Sequence, residues 1–262
     1  MCGICGVSFS ERENANASVL AKDMLLGIES RGRDATGIAW NKGDSGVWIT
    51  KANIDATEFV SDLQVPEGIS TFIGHTRWAT QGSPSNNDNN HPIDATGIVG
   101  IHNGCIFNDD SIFELIGKEH RVAQVDSEAI FALLARADLD TSEILTMIEG
   151  SAAIAWLETD KSEVLHLARI SSSPLIISHT EKGSLFFAST PECINKASIK
   201  QGIKITKSET VAEGQYLQVL NGEIISRKDF SKKAKDRYGS DQFDSEHYDL
   251  PDYSKASNWK AY

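Results

Sequence analysis

The sequence predicts an α+β fold in which antiparallel sheets are covered by helices. Short strand-like segments occur along most of the 262 residues, from Ile4–Phe9 to Glu223–Ser226. A block of helical apolar spacing separates them between residues 110 and 148. This combination is typical of layered domains in which helices pack on the faces of sheets.

In the first half of the chain, apolar spacing predicts a helix over 19–28, with Ser18 as its N-cap. Strands are predicted at 4–9, 37–41, 47–51 and 71–76, the middle two forming a hairpin. Residues 81–90 are rich in Gly, Ser, Pro and Asn and show no periodicity. They are predicted to form a mobile loop.

The second half begins with a predicted strand over 97–102 that ends at the turn-forming pair Asn103-Gly104. Helices are predicted at 110–117, 127–137 and 141–148, and strands at 152–157, 164–168, 175–178, 185–188, 211–220 and 223–226. Thr190-Pro191 opens a further short helix, because proline is favoured in the first turn. Asn221-Gly222 joins the last two strands as a hairpin.

We predict one domain over residues 1–226 and a tail over 227–262. In the tail, charges of both signs become dense, aliphatic residues nearly vanish and aromatic residues are interspersed. Such a segment is either a solvated, flexible tail or a docking segment that folds on a partner.

Composition excludes several classes of protein. The net charge of −12 argues against a nucleic-acid surface, which requires clustered Lys and Arg. No apolar run approaches the ~20 residues that a membrane span requires, and the N-terminus lacks the pattern of a signal peptide. Four cysteines at irregular spacing do not form a disulfide framework. We therefore expect a cytoplasmic protein with reduced thiols.

Cys2 carries the most specific chemistry. If Met1 is removed, Cys2 presents a thiol and a free α-amine on one residue. The amine titrates near pH ~8 and can accept the thiol proton. Cys2 and Cys5 also form a C-x-x-C pair, but no further ligands stand at zinc-site spacing, so no metal is expected. Taken alone, Cys2 is more simply an incidental cysteine after the start codon.

Cys2 belongs to the first of six short motifs. They are Cys2-Gly3-Ile4 with Gly6-Val7, Arg31-Gly32-Arg33-Asp34, Gly74-His75-Thr76-Arg77-Trp78-Ala79-Thr80, Asn90-His91-Pro92, His102-Asn103-Gly104 and Asp126-Ser127-Glu128. In content, order and spacing they resemble the class II glutamine amidotransferases, the N-terminal-nucleophile (Ntn) type. The resemblance is closest to the glutaminase domain of glucosamine-6-phosphate synthase, and it covers residues 2 to 225.

The resemblance implies a four-layer αββα sandwich of two antiparallel sheets between helices. It implies Cys2 as the nucleophile, and the Asn103 amide with the Gly104 N–H as the oxyanion hole. Neither a metal nor an organic cofactor is required. The 31–34 motif resembles a supporting segment, and the loop over 81–90 corresponds to a lid.

The same resemblance assigns the substrate-binding residues. Arg77 would bind the α-carboxylate of glutamine through its planar fork, and Asp126 would bind the α-ammonium. Trp78 and Thr80 would line the pocket. Without the resemblance, Arg77 could equally form a surface salt bridge, and Asp126 could cap a helix. His75, His91 and His102 are expected to be structural or to position loops. Gln81 stands where sugar-amidating members commonly have His.

The implied function is hydrolysis of L-glutamine, with the ammonia delivered to a separate synthase partner. Two alternatives stay open: an Ntn amidohydrolase acting on another amide, and a catalytically silent subunit. Arg77 and Asp126 argue against the first, because another amide does not need a clamp for a zwitterion. Retention of Cys2, Asn103 and Gly104 argues against the second.

Overall fold

The computed structural model describes residues 1–41, 46–136 and 139–230. Within these residues the strands form two antiparallel sheets. The first sheet has the order β11-β9-β10-β1-β4-β2-β3, with β11 Ile205–Thr210, β9 Ile176–Thr180, β10 Leu185–Ala188, β1 Gly3–Ser8, β4 Thr71–Arg77, β2 Ala35–Asn41 and β3 Val47–Ala52. The second has the order β13-β12-β8-β7-β6-β5, with β13 Glu223–Asp229, β12 Gln215–Leu220, β8 Leu165–Ser171, β7 Gly150–Glu158, β6 Ile98–Ile106 and β5 Ile93–Ala95.

Helices cover the outer face of each sheet. On the first sheet, α1 Ala17–Ile28, α2 Ala56–Asp62 and α6 Pro191–Lys200 bury an apolar cluster against the strands. On the second, α3 Asp109–Ile116, α4 Asp126–Leu134 and α5 Thr141–Met147 do the same. Three short 3-10 helices lie at Glu29–Arg31, Asn87–Asn89 and Lys118–His120.

A third apolar cluster, which includes Ile4, Ile73, Val99 and Ile101, lies between the sheets. Because alternate residues of a strand point to opposite faces, Cys5 faces the helical layer while its neighbour Ile4 faces the second sheet. The three clusters define four layers in the order helix, sheet, sheet, helix. The predicted αββα sandwich is confirmed.

The start of α1 differs from the prediction. Asn16, not Ser18, is the N-cap, and its Oδ1 accepts a hydrogen bond from Val19 N at 2.9 Å. The Ser18 hydroxyl instead accepts one from Val65 N at 3.3 Å. The cap is therefore two residues earlier than predicted, and the helix gains residues 17 and 18.

Helix α2 and strands β5 and β11 were not predicted from the sequence. In the seven residues of α2 only Ala56 and Phe59 are buried, too few to show helical periodicity. Strand β5 has only three residues, and β11 is a mostly exposed edge strand, held by its backbone pairing with β9. The predicted strand over 211–220 is present as β12 but begins four residues later, at Gln215.

Strand β13 runs to Asp229, three residues beyond the predicted domain boundary. Its pairing with β12 continues through Arg227, Lys228 and Asp229, because backbone hydrogen bonds do not depend on the charge of exposed side chains. Residues 231–262, which make up most of the predicted tail, lie outside the described residues. No described helix is long and apolar enough to cross a membrane.

Candidate active site

Cys2 lies immediately before β1, beside the end of β4. Its Sγ accepts a hydrogen bond from Trp78 N at 3.4 Å and donates one to Trp78 O at 3.6 Å. Arg31 Nε donates to Cys2 O at 2.8 Å. Antiparallel pairing of Gly3 with Thr76 brings these two strand ends together. The thiol is thus held against backbone that lies 76 residues away in sequence.

The surroundings of Cys2 favour the neutral thiol. Burial raises the pKa of this thiol, and the negative charge of Asp126 adds to that effect. The Trp78 N–H, the N-terminal ammonium and Arg77 oppose the rise in pKa. In this structure the amine belongs to Met1, which is 75% exposed. A nearby base is therefore required to form the thiolate.

Arg77 ends β4 and is 3% exposed. Its Nη1 donates to Asn90 Oδ1 at 2.8 Å, and its Nη2 donates to the carbonyl oxygens of Gln81 and Gly82. Burial lowers the pKa of Arg77, while the charges of Cys2, Asp34 and Asp126 raise it. The alternative role in a surface salt bridge is wrong, because the guanidinium is enclosed by the loop that follows the strand.

The 31–34 motif supports this strand end. Gly32 passes so close that a Cβ there would lie 2.3 Å from the carbonyl carbon of Arg77. Asp34 N donates to Arg77 O at 3.0 Å, and Asp34 Oδ2 accepts a hydrogen bond from Ala79 N at 2.7 Å. The motif therefore fixes the backbone of residues 77–79, on which the Cys2 thiol rests.

Asn103 and Gly104 lie within β6, which continues to Ile106, so the prediction that the strand ends at this pair is wrong. Asn103 is fully buried, and neither atom of its carboxamide has a hydrogen-bond partner among the described residues. Gly104 has φ +151°, and a Cβ there would lie 1.8 Å from Ser151 O. The position therefore requires glycine.

Asp126 is the first residue of α4 and does not cap that helix, so the N-cap alternative is wrong. Its Oδ2 accepts a hydrogen bond from Ile106 N at 2.8 Å, which ties α4 to the strand that carries Asn103. Asp126 interacts electrostatically with both Cys2 and Arg77. Partial burial raises the pKa of the thiol of Cys105, a second, exposed cysteine, and the negative charge of Asp126 adds to that effect.

The predicted site residues differ in how closely the structure associates them. Direct or electrostatic contacts join Cys2, Arg77, Trp78 and Asp126 into one group. The Trp78 side chain is 57% exposed beside the thiol. Thr80 is exposed two residues further on, and the described contacts do not join it to this group.

Three histidines lie behind the group. His75 Nε2 donates to His102 O at 3.1 Å, and the His75 ring stacks on His91 at 4.1 Å between centroids. Burial lowers the pKa of His75 to about 3, and it lowers the pKa of His91 and of His102 as well. Burial thus makes these imidazoles weaker bases than a free histidine, and none of them has a described hydrogen bond to the Cys2 thiol. The part of the chain that the structure describes contains no group of three potential metal ligands.

Two residues next to the site were not among the predicted site residues: half-buried Lys51 and fully buried Asn90, although Asn90 belongs to one of the six motifs. Lys51, on β3, donates through Nζ to Asn90 O at 2.7 Å and to Pro92 O at 2.9 Å. Asn90 in turn accepts from Arg77. A lysine on a predicted hairpin and an asparagine in a polar loop give no indication of these contacts, which form only when β3 and the loop meet.

The sequence of this chain is similar to those of glutamine amidotransferases. A family described as "Glutamine amidotransferase domain" matches residues 75–196. The glutamine–fructose-6-phosphate aminotransferase (isomerizing) of Listeria monocytogenes is 31% identical over 242 residues, which are 88% of this chain and 39% of that protein. This chain thus spans about two fifths of the length of the curated relatives that it matches.

Two solved structures share the fold. The glutamine phosphoribosylpyrophosphate amidotransferase of B. subtilis aligns with a TM-score of 0.69 and 20% identity, over 87% of this chain and 49% of that chain. A glutamine aminotransferase class-II domain protein of Silicibacter pomeroyi aligns with a TM-score of 0.54 and 15% identity, over 87% of this chain and 99% of that chain.

Proposed function

This chain belongs to the Ntn-type class II glutamine amidotransferases, and we propose that it hydrolyses L-glutamine to L-glutamate and ammonia. The observation that carries the proposal is the buried, unpartnered carboxamide of Asn103, beside a glycine whose backbone no other residue can adopt without strain. Buried polar groups normally have partners. Asn103 is an unpartnered donor on β6, a strand that packs against β1 and β4, and an oxyanion hole at Cys2 requires such a donor.

The reaction begins with the thiol proton. Removal of Met1 places the α-amine on Cys2, where it accepts the proton from Sγ. The sulfur then attacks the side-chain carbonyl carbon of glutamine. Negative charge develops on the carbonyl oxygen, and it is stabilised by Asn103 Nδ2 and the Gly104 N–H.

The tetrahedral intermediate collapses when its C–N bond breaks. The nitrogen takes the proton held by the α-amine and leaves as ammonia, which leaves a thioester on Cys2. Water, deprotonated by the same amine, attacks the thioester carbon. Breakage of the C–S bond then releases glutamate and restores the thiol.

The remaining site residues would bind the two charged groups of the substrate. Arg77, buried beside the nucleophile, would hold the α-carboxylate, and Asp126 the α-ammonium. Trp78 and Thr80 would line the pocket, and the lid, residues 81–90, would exclude water from the thioester. The opposite charges of Arg77 and Asp126, both of which act on the thiol, suit a zwitterion better than a neutral amide.

The ammonia would pass to a separate synthase. Free ammonia is largely protonated at neutral pH, so an acceptor site must take it directly. Residues 227–229 of the predicted tail belong to β13, so the segment that we expect to dock such a partner is 231–262, which lies outside the described part of the chain. Loss of co-purification on deleting 231–262 is expected, and undiminished partner binding would contradict this role.

The test of hydrolysis uses protein whose intact mass confirms the loss of Met1. We expect release of glutamate from L-glutamine, and its arrest by a glutamine-directed thiol alkylator. Cys2→Ala should abolish turnover, whereas the matched variant Cys105→Ala, which removes an exposed thiol close to Asp126, should retain it. Turnover by Cys2→Ala would mean another nucleophile. A processed protein that stays inactive with candidate synthases would favour the silent subunit.

A further inference from the structure

The hydrogen bonds of Arg77 leave no free fork for a carboxylate. A bidentate carboxylate needs one hydrogen from each of two guanidinium nitrogens, and both possible pairs, Nη1 with Nη2 and Nε with Nη2, include Nη2. Nη2 donates its two hydrogens to the carbonyl oxygens of Gln81 and Gly82. A substrate carboxylate must therefore displace at least one of these carbonyl groups.

The two sides of the guanidinium differ in how easily they can move. Gln81 is exposed and Gly82 is half-buried with φ +69°, and both lie at the start of the lid. On the other side, Asn90, at the end of the same loop, is fully buried and accepts from Nη1 at 2.8 Å. The lid carbonyl groups are thus the partners of Arg77 that can yield.

Asn90 is itself fixed from three directions. Its Nδ2 donates to Pro84 O at 2.8 Å and to Asn87 Oδ1 at 3.1 Å. Its backbone oxygen accepts from Lys51 Nζ at 2.7 Å, and that ammonium group also holds Pro92 O. Every polar atom of the Asn90 side chain therefore has a partner.

We infer that Asn90 is a positioning residue for the substrate carboxylate: it holds the Arg77 guanidinium in place while the Gln81 and Gly82 carbonyl groups give way. This inference rests on the proposed function, because it assumes that Arg77 binds the α-carboxylate of glutamine. Lys51 acts one step further away, by holding the backbone of Asn90.

Asn89 provides a matched control. It is also a fully buried asparagine in the same loop, but its side chain joins the loop to Gln124, accepting from Gln124 N at 2.8 Å, and makes no described contact with Arg77. Truncation of either residue loosens the loop. Only truncation of Asn90 removes a partner of the guanidinium.

The experiment compares Asn90→Ala and Asn89→Ala on two substrates, L-glutamine and 4-aminobutanamide, which is glutamine without its α-carboxylate. We expect Asn90→Ala to lower kcat/KM for glutamine about tenfold, mainly through KM, as for one lost hydrogen bond to a charged group. The same variant should change kcat/KM for 4-aminobutanamide less than about twofold. Asn89→Ala should affect both substrates alike.

An equal loss on both substrates in Asn90→Ala would overturn the inference, because a purely structural defect does not depend on the carboxylate. Calorimetric binding of L-glutamine to Cys2→Ala protein, with and without Asn90→Ala, keeps this test independent of turnover. Binding that Asn90→Ala does not weaken overturns the inference alone. A parent protein that neither binds nor hydrolyses glutamine overturns the proposed function as well.

Discussion

Replacement of Asn103 by alanine should separate catalysis from stability. The Asn103 carboxamide is buried and has no hydrogen-bond partner among the described residues. Its removal therefore breaks no described hydrogen bond and relieves a desolvation cost of about 1–3 kcal/mol. The small cavity that remains offsets much of this gain. We expect a free energy of unfolding within about 1 kcal/mol of the parent, and kcat lower by ~10²–10³.

Asn41 is the matched control, because it is also a buried asparagine at a strand position of the first sheet. Its Nδ2 donates to Ser70 Oγ at 2.8 Å, and its Oδ1 accepts from Ser70 N at 2.9 Å and from Thr71 N at 3.0 Å. At about 1 kcal/mol for each bond, Asn41→Ala should lower the free energy of unfolding by about 3 kcal/mol. It should leave kcat of the folded protein unchanged.

The two variants would be compared by urea unfolding and by glutamate release from L-glutamine under the same conditions. We expect Asn103→Ala to keep the free energy of unfolding of the parent but to have a much lower kcat. We expect Asn41→Ala to have a lower free energy of unfolding but the kcat of the parent. If Asn103→Ala lost as much stability as Asn41→Ala, the carboxamide would be a satisfied structural group. If its kcat were unchanged, the assignment to the oxyanion hole would be refuted.

Two further predictions concern the same region. Gly104→Ala should lower kcat by ~10² or more and the free energy of unfolding by at least about 1–3 kcal/mol, because a Cβ would lie 1.8 Å from Ser151 O. A variant with the kcat and the melting temperature of the parent would contradict this geometry. Burial lowers the pKa of His75 from 6.5 to about 3, so the unfolded state takes up the proton first and stability should fall as the pH drops from about 6.5 towards 3. Between pH 7 and 5 the protonation of this histidine should lower the free energy of unfolding by about 2 kcal/mol. His75→Gln should therefore flatten the pH dependence of the free energy of unfolding measured with urea, whereas the exposed control His120→Gln should not. An equal pH dependence in the parent and both variants would contradict this prediction.

Much of the architecture followed from local signals. Apolar periodicity predicted most helices and strands, because it reports which face of an element is buried. The Asn221-Gly222 hairpin was predicted from its residue types, and both residues have positive φ, +50° and +79°. The αββα layering came from the resemblance carried by the short motifs, since periodicity does not say which elements share a layer. The edge strand β11 and the short helix α2 escaped prediction because they bury few apolar side chains.

The sequence by itself determined which chemical groups are available: a second-position thiol, an Arg and an Asp of opposite charge, and an Asn-Gly pair. Only the tertiary structure decided how these groups are arranged. It placed Asn103 inside a strand with a free carboxamide, enclosed Arg77 in lid carbonyl groups, and made Asn90 the fixed partner of that guanidinium. The physical reason is that hydrogen-bond partners, burial and pKa depend on residues distant in sequence, such as Cys2 and Trp78, which meet only when strands β1 and β4 pair.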